Sequence, residues 1–596
     1  MDKVSCWLEA FAGALARNDI DAAAELFEAD CYWRDLVAFT WNIKTCEGRE
    51  EIRRMLEATL AGARPSQFRI SGEPRVNDGV TEAWFGFETA VGRGIGQLRL
   101  RGGRCWTLLT TLRELKGFEE KTGHRREAGI EHGAIAGRRS WLERKTQEEA
   151  ALGTVRQPYV LIVGGGQGGI ALGARLKRLG VSALIVERNE RAGDSWRKRY
   201  KSLCLHDPVW YDHLPYLPFP DHWPVFTPKD MLGDWLEMYV RVMGLNYWGS
   251  ARCVGASYDE RAGEWVVCVE RKGKELELRP KHLVLATGMS GVPSIPAIPG
   301  AASFQGTLTH SSAFPGGEGW GGKRCVVVGA STSAHDICAD LWEHGAEVTM
   351  LQRSSTVVAT SEALTEYAWS RLYSQAALEA GITTDLADLS VASVPMKLLP
   401  GLQKPLYEKM ARRDAALYEG LARAGFQFDF GEDGSGIHAL YLRRGSGYYI
   451  EVGASKMIID GRIRLKSPAV VERLNGRSVT LSDGKGNETE LAADLVVFAT
   501  GYGSMNGWAA ELISREVADR VGRCWGLGSD TKYDPGPWVG ELRNMWKPTQ
   551  QPALWFHGGN LMQSRHYSLY LALQLKARME GIATPVYGMD PVHHLN

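Results

Sequence analysis

The sequence predicts an α/β fold with two Rossmann-like dinucleotide-binding domains, preceded by a separate α+β domain. Two glycine-rich turns, at residues 164–169 and 329–334, each follow a short apolar strand and precede a helix. The next strand of the first unit ends in Glu187, and that of the second unit ends in Arg353. A carboxylate at this position accepts hydrogen bonds from a ribose diol, whereas a guanidinium attracts a 2′-phosphate. The first site is therefore predicted to hold FAD or NAD, and the second NADP.

Length and composition narrow the class of protein. A chain of 596 residues exceeds what one hydrophobic core supports, so two to four domains are expected. Lys+Arg and Asp+Glu both number 70, so no net charge favours nucleic acid or an anionic membrane. No apolar run is long enough for a transmembrane helix, and the first residues lack a signal-peptide pattern. We therefore expect a cytoplasmic protein, and a homodimer is compatible with the sequence.

Residues 1–150 carry neither glycine-rich turn and are predicted to form the α+β domain. Helices followed by alternating strands resemble the cone-shaped nuclear transport factor 2 (NTF2) or SnoaL-like family, which implies a curved antiparallel sheet. Trp33, Asp35 and Trp41 are candidates to line a cavity in such a cone, although a shielding or dimer-forming role is favoured. The predicted elements are helices over residues 10–27 and from residue 48, strands over 31–39, 83–88, 96–101 and 105–112, and a charged helix over 138–151.

The first dinucleotide unit is predicted from a strand over residues 159–163, a helix over 170–179 and a strand over 183–186. Gly164 permits the tight turn, and Gly166 lets the backbone approach a pyrophosphate. Gly169 lets the helix pack close to the strand, so that the amides at the helix N-terminus face the anion. Glu187 follows at the spacing expected for a ribose ligand, which supports a dinucleotide site.

The second unit repeats this order with a strand over residues 325–328, a helix over 332–344 and a strand over 347–352. Ser331 replaces the middle glycine, which weakens the motif taken alone. Arg353 can form charge-assisted hydrogen bonds with a 2′-phosphate, and the hydroxyl of Ser354 can add another. An arginine also stacks on adenine, so NADH remains an alternative to NADPH. A helix-rich insert is predicted over residues 360–425.

Further segments carry a family resemblance. Residues 193–196 read Gly-Asp-Ser-Trp, and residues 304–314 match the pattern Phe-x-Gly-x-x-x-His-x-x-x-aromatic. Together with residues 286–288, 498–502 and 556–561, they resemble the class B flavin-dependent monooxygenases, which include flavin-containing, YUCCA-type and Baeyer–Villiger enzymes. The resemblance covers residues 155–596. It implies an FAD-binding domain over residues 155–320, an NAD(P)-binding domain over 321–465, and a second part of the FAD-binding domain over 466–596.

This resemblance implies the reaction. NADPH or NADH would reduce FAD, and O2 would add to the flavin as a C4a-(hydro)peroxide that inserts one oxygen atom into a small organic substrate. The N-terminal extension and the mixed motif are most like bacterial type II flavin-containing monooxygenases, which favours ketones as in Baeyer–Villiger oxidation. Oxygenation of sulfur or nitrogen, and an oxidase that releases hydrogen peroxide, are the alternatives. The ten cysteines include no Cys-x-x-Cys pair, which argues against a dithiol reductase and a zinc site.

The candidate site residues follow from these motifs. His310, from the family motif, is the candidate catalytic residue, as a hinge between the two nucleotide domains. Trp196 is expected to cover the flavin, and the helix after Asn560 to direct its N-terminal dipole at the flavin ring. No metal ligand is predicted. The cofactor-binding candidates are Gly164, Gly166, Gln167, Gly168, Gly169, Glu187, Arg188, Trp196, His206, Gly329, Ser331, Ser333, Arg353, Ser354, Thr500, Gly501 and Asn560.

Overall fold

The N-terminal domain is a six-stranded sheet with three helices, in the order β2-β1-β6-β5-β4-β3. The computed structural model describes residues 3–594, so Met1, Asp2, Leu595 and Asn596 of the predicted end domains lie outside the described residues. Strand β1 runs parallel to β6, and the other pairs are antiparallel. The elements are α1 (Lys3–Ala16), α2 (Ile20–Glu25), β1 (Phe27–Leu36), β2 (Ile43–Glu47), α3 (Gly48–Ala63), β3 (Ser66–Asn77), β4 (Val80–Glu88), β5 (Gly92–Arg101) and β6 (Arg104–Leu115).

The single helix expected over residues 10–27 is in fact two helices. Asn18 adopts a left-handed backbone conformation with φ of 56°, which ends the first helix. The Asp19 carboxylate then accepts a hydrogen bond from the Ala22 amide and caps α2. The strand expected over residues 31–39 begins earlier, at Phe27, because this side chain belongs to the aromatic core of the domain.

The interior of this domain is filled by its own side chains. Trp33 and Asp35 are 0% and 1% exposed, and both hydrogen-bond to the Thr110 hydroxyl, at 2.8 and 2.6 Å. Asp35 also accepts hydrogen bonds from the amides of Phe39 and Thr40. Trp41 is buried as well. Packing and internal hydrogen bonds thus use Trp33 and Asp35, and the idea that they and Trp41 line a ligand cavity stays a prediction.

An exposed linker leads to the first α/β unit. The linker contains α4 (Trp141–Ala151), whose N-terminus is closed by a capping box between Ser140 and Glu143. The unit has a parallel sheet in the order β25-β13-β7-β8-β9, and β10–β12 form a separate antiparallel sheet. The elements are β7 (Val160–Val163), α5 (Gln167–Arg178), β8 (Ala183–Val186), α6 (Asp194–Arg197), α7 (Lys229–Val242), β9 (Tyr247–Trp248), β10 (Ala251–Asp259), β11 (Glu264–Arg271), β12 (Lys274–Leu278) and β13 (His282–Leu285).

The second α/β unit has a parallel sheet in the order β14-β24-β15-β16-β20, with a helical insert after β17. The insert includes a π-helix at Thr365–Trp369. The elements are β14 (Thr307–His310), β15 (Arg324–Val328), α8 (Thr332–Glu343), β16 (Glu347–Leu351), β17 (Thr356–Thr360), α9 (Ser361–Leu364), α10 (Gln375–Glu379), α11 (Thr384–Ala392), α12 (Leu399–Arg413), α13 (Ala415–Arg423), β18 (Phe428–Asp429), α14 (Gly436–Arg444), β19 (Tyr448–Glu451), α15 (Ala454–Ile459), β20 (Arg464–Lys466), β21 (Val470–Asn475), β22 (Ser478–Ser482), β23 (Glu488–Ala492) and β24 (Leu495–Phe498).

The predicted domain boundaries at residues 320 and 465 need correction. Strand β14 precedes residue 320 and β24 follows residue 465, yet both belong to the sheet of the second unit. A short apolar strand next to a crossing can pair with either sheet, and here β24 lies between β14 and β15 in parallel register. The chain therefore crosses between the units after β13 and after β24, which are the segments that carry the Ala-Thr-Gly motifs at residues 286–288 and 499–501.

The C-terminal segment completes the first unit and supports the N-terminal domain. It contains α16 (Asn506–Leu512), α17 (Arg515–Val521), β25 (Leu554–Phe556) and α18 (Leu561–Met579). Helix α18 is buried along nearly its whole length, because it packs against α5 on one side and β6 of the N-terminal domain on another. Within residues 3–594, no helix is both long and apolar enough to cross a membrane.

Candidate active site

A cavity of about 810 Å³ opens at the first glycine-rich turn. Its walls come from the ends of β7 and β8, from α6, from the crossing after β13, and from the turn before α18. The structure thus brings together residues that are far apart in the chain. The predicted cofactor-binding residues that line this cavity are Gly164, Gly166, Gln167, Gly168, Glu187, Arg188, Trp196 and Asn560.

The backbone of the first turn requires glycine at two positions. Gly164 has φ of 109°, and a Cβ atom there would lie 2.4 Å from the Ala286 carbonyl oxygen. A Cβ atom on Gly169 would lie 2.0 Å from the Gly164 carbonyl oxygen. Helix α5 starts after Gly166, which offers no side-chain cap. The first amides of α5 therefore remain free to bind an anion at the cavity.

Glu187 lines the cavity at the end of β8 and also organises the turn. Its carboxylate accepts a hydrogen bond of 2.7 Å from the Gly165 amide. It also accepts hydrogen bonds of 2.8 Å from the backbone amide and the side-chain amide of Asn189. The side chain is therefore held in one orientation at the cavity wall.

Gln167 links three parts of the cavity wall. The Trp196 indole N–H donates to Gln167 Oε1 at 3.2 Å, and Gln167 Nε2 donates to the Gly559 carbonyl at 3.3 Å. The side chain thus joins the first turn, the short helix α6 and the turn before α18. Because it orients Trp196 at the cavity, the predicted role of Trp196 as a cover for a flat ring is compatible with this geometry.

Two tyrosines that the sequence analysis did not single out hold the start of α18. The Asn560 side chain caps α18 by accepting the Gln563 amide at 2.9 Å, and its Nδ2 donates to the Tyr211 hydroxyl at 3.0 Å. The Tyr441 hydroxyl accepts the Asn560 amide at 3.0 Å and donates to Gln563 Oε1 at 3.1 Å. The N-terminus of α18 is therefore fixed beside the cavity, where its dipole favours negative charge.

Asp207 is a second group that the motifs did not reveal. Burial raises the pKa of its carboxyl group to about 6. Burial raises the pKa values of Tyr211, Tyr441 and Tyr448, and the charge of Asp207 adds to each of these shifts, so the four groups lie near one another. The sequence signal was weak, namely an acid between Leu205 and the apolar pair Pro208-Val209. The group titrates in the range in which proton transfer at neutral pH is efficient.

His310 lies at the junction of the two α/β units. The ring is 3% exposed, and its Nδ1 accepts a hydrogen bond of 3.1 Å from the Ser312 amide. Its Nε2 lies 3.1 Å from the Gly501 carbonyl, and the ring packs edge-on against Tyr502. Burial lowers the pKa of His310, which favours the neutral ring. Both ring nitrogens bind neighbouring groups across the second crossing, a position that suits a hinge.

Three other predicted residues lie at the contact between the units. The Thr500 hydroxyl donates to the Ser294 carbonyl at 2.5 Å, and Gly501 is the residue that meets His310. His206 lies 3.8 Å from Asp336 on α8 of the second unit, where Asp336 also accepts a hydrogen bond of 2.6 Å from the Tyr200 hydroxyl. The structure thus places Thr500, Gly501 and His206 at this contact, and it does not show them in the wall of the large cavity.

The second glycine-rich turn repeats the geometry of the first. Gly329 has φ of 133°, and a Cβ atom there would lie 2.4 Å from the Ala499 carbonyl oxygen. Ser331 is the N-cap of α8 but forms no side-chain cap, so the amides of the first turn, which includes Ser333, remain free for an anion. Arg353 and Ser354 are exposed just after β16. Among residues 3–594, Arg353 has no ion-pair partner.

Comparisons with known proteins agree with this geometry. Residues 158–388 match the pyridine nucleotide-disulphide oxidoreductase family. Indole-3-pyruvate monooxygenase YUCCA1 of Oryza sativa subsp. japonica is 30% identical over 369 residues, which cover 61% of this chain and 82% of that protein. The chain belongs to the flavin monooxygenase family. This flavin monooxygenase is therefore an oxidoreductase, and FAD and a nicotinamide dinucleotide are its cofactors.

Solved structures share the fold of this flavin monooxygenase. Cyclohexanone monooxygenase aligns with a TM-score of 0.50 at 15% identity, covering 71% of this chain and 87% of that one. OTEMO in complex with FAD and NADP aligns with a TM-score of 0.50 at 17% identity, covering 72% and 86% of the two chains. All ten cysteines of the present chain are free thiols in this structure.

Proposed function

We propose that this flavin monooxygenase binds FAD in the large cavity and NAD(P)H at the second turn, and inserts one oxygen atom from O2 into a small organic substrate, with ketones favoured. The observation that carries the proposal is the continuity of the cavity. It extends from Glu187 and the first turn, which suit a ribose and a pyrophosphate, to the start of α18, which suits a flavin ring.

Different residues of the chain bind different parts of FAD. Glu187 accepts hydrogen bonds from the ribose, and the free amides at the start of α5 bind the pyrophosphate. Trp196 packs against the flavin, and the N-terminus of α18 stabilises negative charge on it. When bound, the flavin supplies hydride acceptance and the activation of O2. The protein contributes orientation and the exclusion of water.

The second site serves the nicotinamide cofactor. The amides of α8 after Ser331 bind its pyrophosphate, and Arg353 and Ser354 bind a 2′-phosphate. NADPH is the expected cofactor, with NADH as the alternative. His310 acts as a positioning residue between the two sites, because its ring holds Gly501 of the second crossing against β14. A movement of the second unit against the first would turn about this contact.

The preference for ketones is supported by the names of two similar proteins. One relative is named for indole-3-pyruvate, and one structural neighbour is named for cyclohexanone. Both compounds contain a ketone carbonyl. Nucleophilic attack on such a carbonyl leaves negative charge on its oxygen, which donors in a dry site stabilise. The Tyr211 hydroxyl, which accepts from Asn560 at the start of α18 and keeps its own proton, is the donor proposed to do so.

The proposal is tested by following labelled oxygen. Purified enzyme with FAD receives NADPH, ¹⁸O2 and either cyclohexanone or thioanisole, and a reaction without NADPH is the control. We expect one labelled atom per NADPH in the lactone, with a lower rate for the sulfoxide. If the sulfoxide formed faster than the lactone, soft nucleophiles and not ketones would be the favoured substrates. Stoichiometric hydrogen peroxide without labelled product would identify an oxidase and refute the monooxygenase assignment.

The N-terminal domain is proposed to be NTF2-like and to shield the flavin half. Its order of helices and strands and its six-stranded sheet support the likeness. It docks through Asn42, whose side-chain amide donates to the carbonyls of Tyr587 and Gly588 at 2.9 and 3.0 Å, and through Glu47, which accepts the Trp538 indole N–H. Deletion of residues 1–150 should therefore expose α18 and cause aggregation. A soluble, fully coupled enzyme after this deletion would contradict the shielding role.

A further inference from the structure

The segment that follows β16 in the second unit carries the basic residue Arg353 and is hydrogen-bonded to Asp429, an acidic residue of another strand. Arg353 and Ser354 are exposed after β16, and the hydroxyl of Ser355 donates a hydrogen bond to the Asp429 carboxylate. Asp429 is the last residue of β18, which runs parallel to β17 with Asp429 opposite Val357. Strand pairing thus fixes the position of this acid.

The segment that holds Asp429 also contacts the second glycine-rich turn. Thr356, the residue after Ser355, donates from its hydroxyl to the Ala330 carbonyl of the turn at 2.9 Å. The other carboxylate oxygen of Asp429 accepts the Gly431 amide at 2.9 Å, so the group is held from two sides. The acid is therefore fixed beside Ser355, one residue from the contact between Thr356 and the second turn.

This arrangement has two consequences for a 2′-phosphate. A serine hydroxyl has one proton to donate in a hydrogen bond, and the Ser355 hydroxyl already donates it to the Asp429 carboxylate. The negative carboxylate also repels a phosphate dianion, against the attraction of Arg353. A ribose hydroxyl carries no charge and can donate a hydrogen bond to a carboxylate, so the same group favours a nucleotide that lacks the phosphate.

We propose that Asp429 is a specificity-determining residue of the second site, which opposes the 2′-phosphate that Arg353 attracts and accepts a hydrogen bond from the ribose of NADH. The inference rests on the proposed function, which places NAD(P)H at this turn. Two groups of opposite charge at one rim bring the affinities for NADPH and NADH closer together than Arg353 alone would.

The test is calorimetric titration of the FAD-loaded enzyme with NADP⁺ and, separately, with NAD⁺. Asp429→Asn keeps an acceptor for Ser355 but removes the charge, so NADP⁺ should bind about tenfold more tightly, while NAD⁺ should bind no better. Glu347→Gln is the matched control. Glu347 begins β16 at the end opposite Arg353, about 20 Å away, and loses the same charge.

Each outcome decides the matter. Tighter NADP⁺ binding in Asp429→Asn, with Glu347→Gln unchanged, supports the inference. Equal NADP⁺ affinity in Asp429→Asn and the parent protein overturns it and leaves the proposed function standing. Failure of the parent protein to bind either nucleotide overturns both. Ser355→Ala should change NADP⁺ affinity by less than about twofold, because its proton already serves Asp429; a large loss would contradict this assignment.

Discussion

Arg34 and Glu541 form a buried, two-pronged ion pair between the first strand of the N-terminal domain and the loop before β25. Arg34 Nε lies 2.7 Å from Glu541 Oε1, and Arg34 Nη2 lies 2.7 Å from Oε2. The guanidinium also donates to the Ala392 carbonyl of the insert at 2.7 Å and to the Tyr567 hydroxyl of α18 at 3.1 Å. One side chain therefore joins the N-terminal domain, the insert and the helix that begins at the cavity.

Replacing Arg34 by Ala should lower the free energy of unfolding by about 3 to 5 kcal/mol, because it leaves the Glu541 charge buried without its partner. Arg34 and Glu541 have side chains 1% and 2% exposed, so water cannot compensate. Chemical denaturation monitored by tryptophan fluorescence measures the change. Arg473→Ala, which breaks an exposed pair with Glu488, should cost less than about 1 kcal/mol. Equal losses in the two variants would contradict this account.

Glu187→Gln should weaken FAD binding at least about tenfold, since the neutral amide is a poorer acceptor for both the Gly165 amide and a ribose diol. The flavin retained after purification and the dissociation constant from flavin fluorescence report the effect. Glu190→Gln is the control, because Glu190 is exposed three residues further along and loses the same charge. Unchanged flavin content in Glu187→Gln would remove Glu187 from the site.

Gly169→Ala should destabilise the protein by about 2 to 3 kcal/mol and abolish flavin retention, because the added methyl group would overlap the Gly164 carbonyl. Gly168→Ala is the neighbouring control in the same helix. Its Cβ atom would lie 3.4 Å from its nearest neighbours, so it should change the free energy of unfolding by less than about 1 kcal/mol. Thermal unfolding compares the two, and a milder effect at Gly169 would show that the turn relaxes.

Asp207→Asn should stabilise the protein increasingly as pH rises from 5 to 8. Burial raises the pKa of Asp207 from 3.8 to about 6, so below pH 3.8 the group is protonated in both the folded and unfolded states. Between pH 3.8 and about 6 the carboxyl group is ionised in the unfolded chain but still protonated in the folded protein. The free energy of unfolding therefore falls as pH rises, and the loss is complete above pH 6.

At pH 8 the gain in Asp207→Asn should be about 1 to 2 kcal/mol, since partial exposure of the side chain reduces the full effect. Denaturation at pH 5 and pH 8 measures it. Asp221→Asn, at a fully exposed position, should show no pH-dependent difference from the parent protein. A gain for Asp207→Asn that does not grow with pH would show that the carboxyl group is not buried in solution.

Much of the fold was predictable because it depends on local pattern. The strand–turn–helix order at both glycine-rich turns, and the Glu187 and Arg353 that follow them, lie in segments of about 25 to 30 residues, whose geometry is set by strand and helix periodicity. Gly164 and Gly169 were identified for the same reason, since a tight turn needs glycine whatever surrounds it.

Only the tertiary structure decided how distant segments meet. Sequence periodicity could not show that β24 pairs with β15, that Tyr441 holds Asn560 at the start of α18, or that Asp207 is half-buried. Arg34 and Glu541 are 507 positions apart, and neither belongs to a motif. Such contacts depend on which surfaces pack against each other, and packing is a property of the whole chain. The sequence alone therefore determined the two nucleotide turns, and the tertiary structure determined the cavity that opens at the first of them.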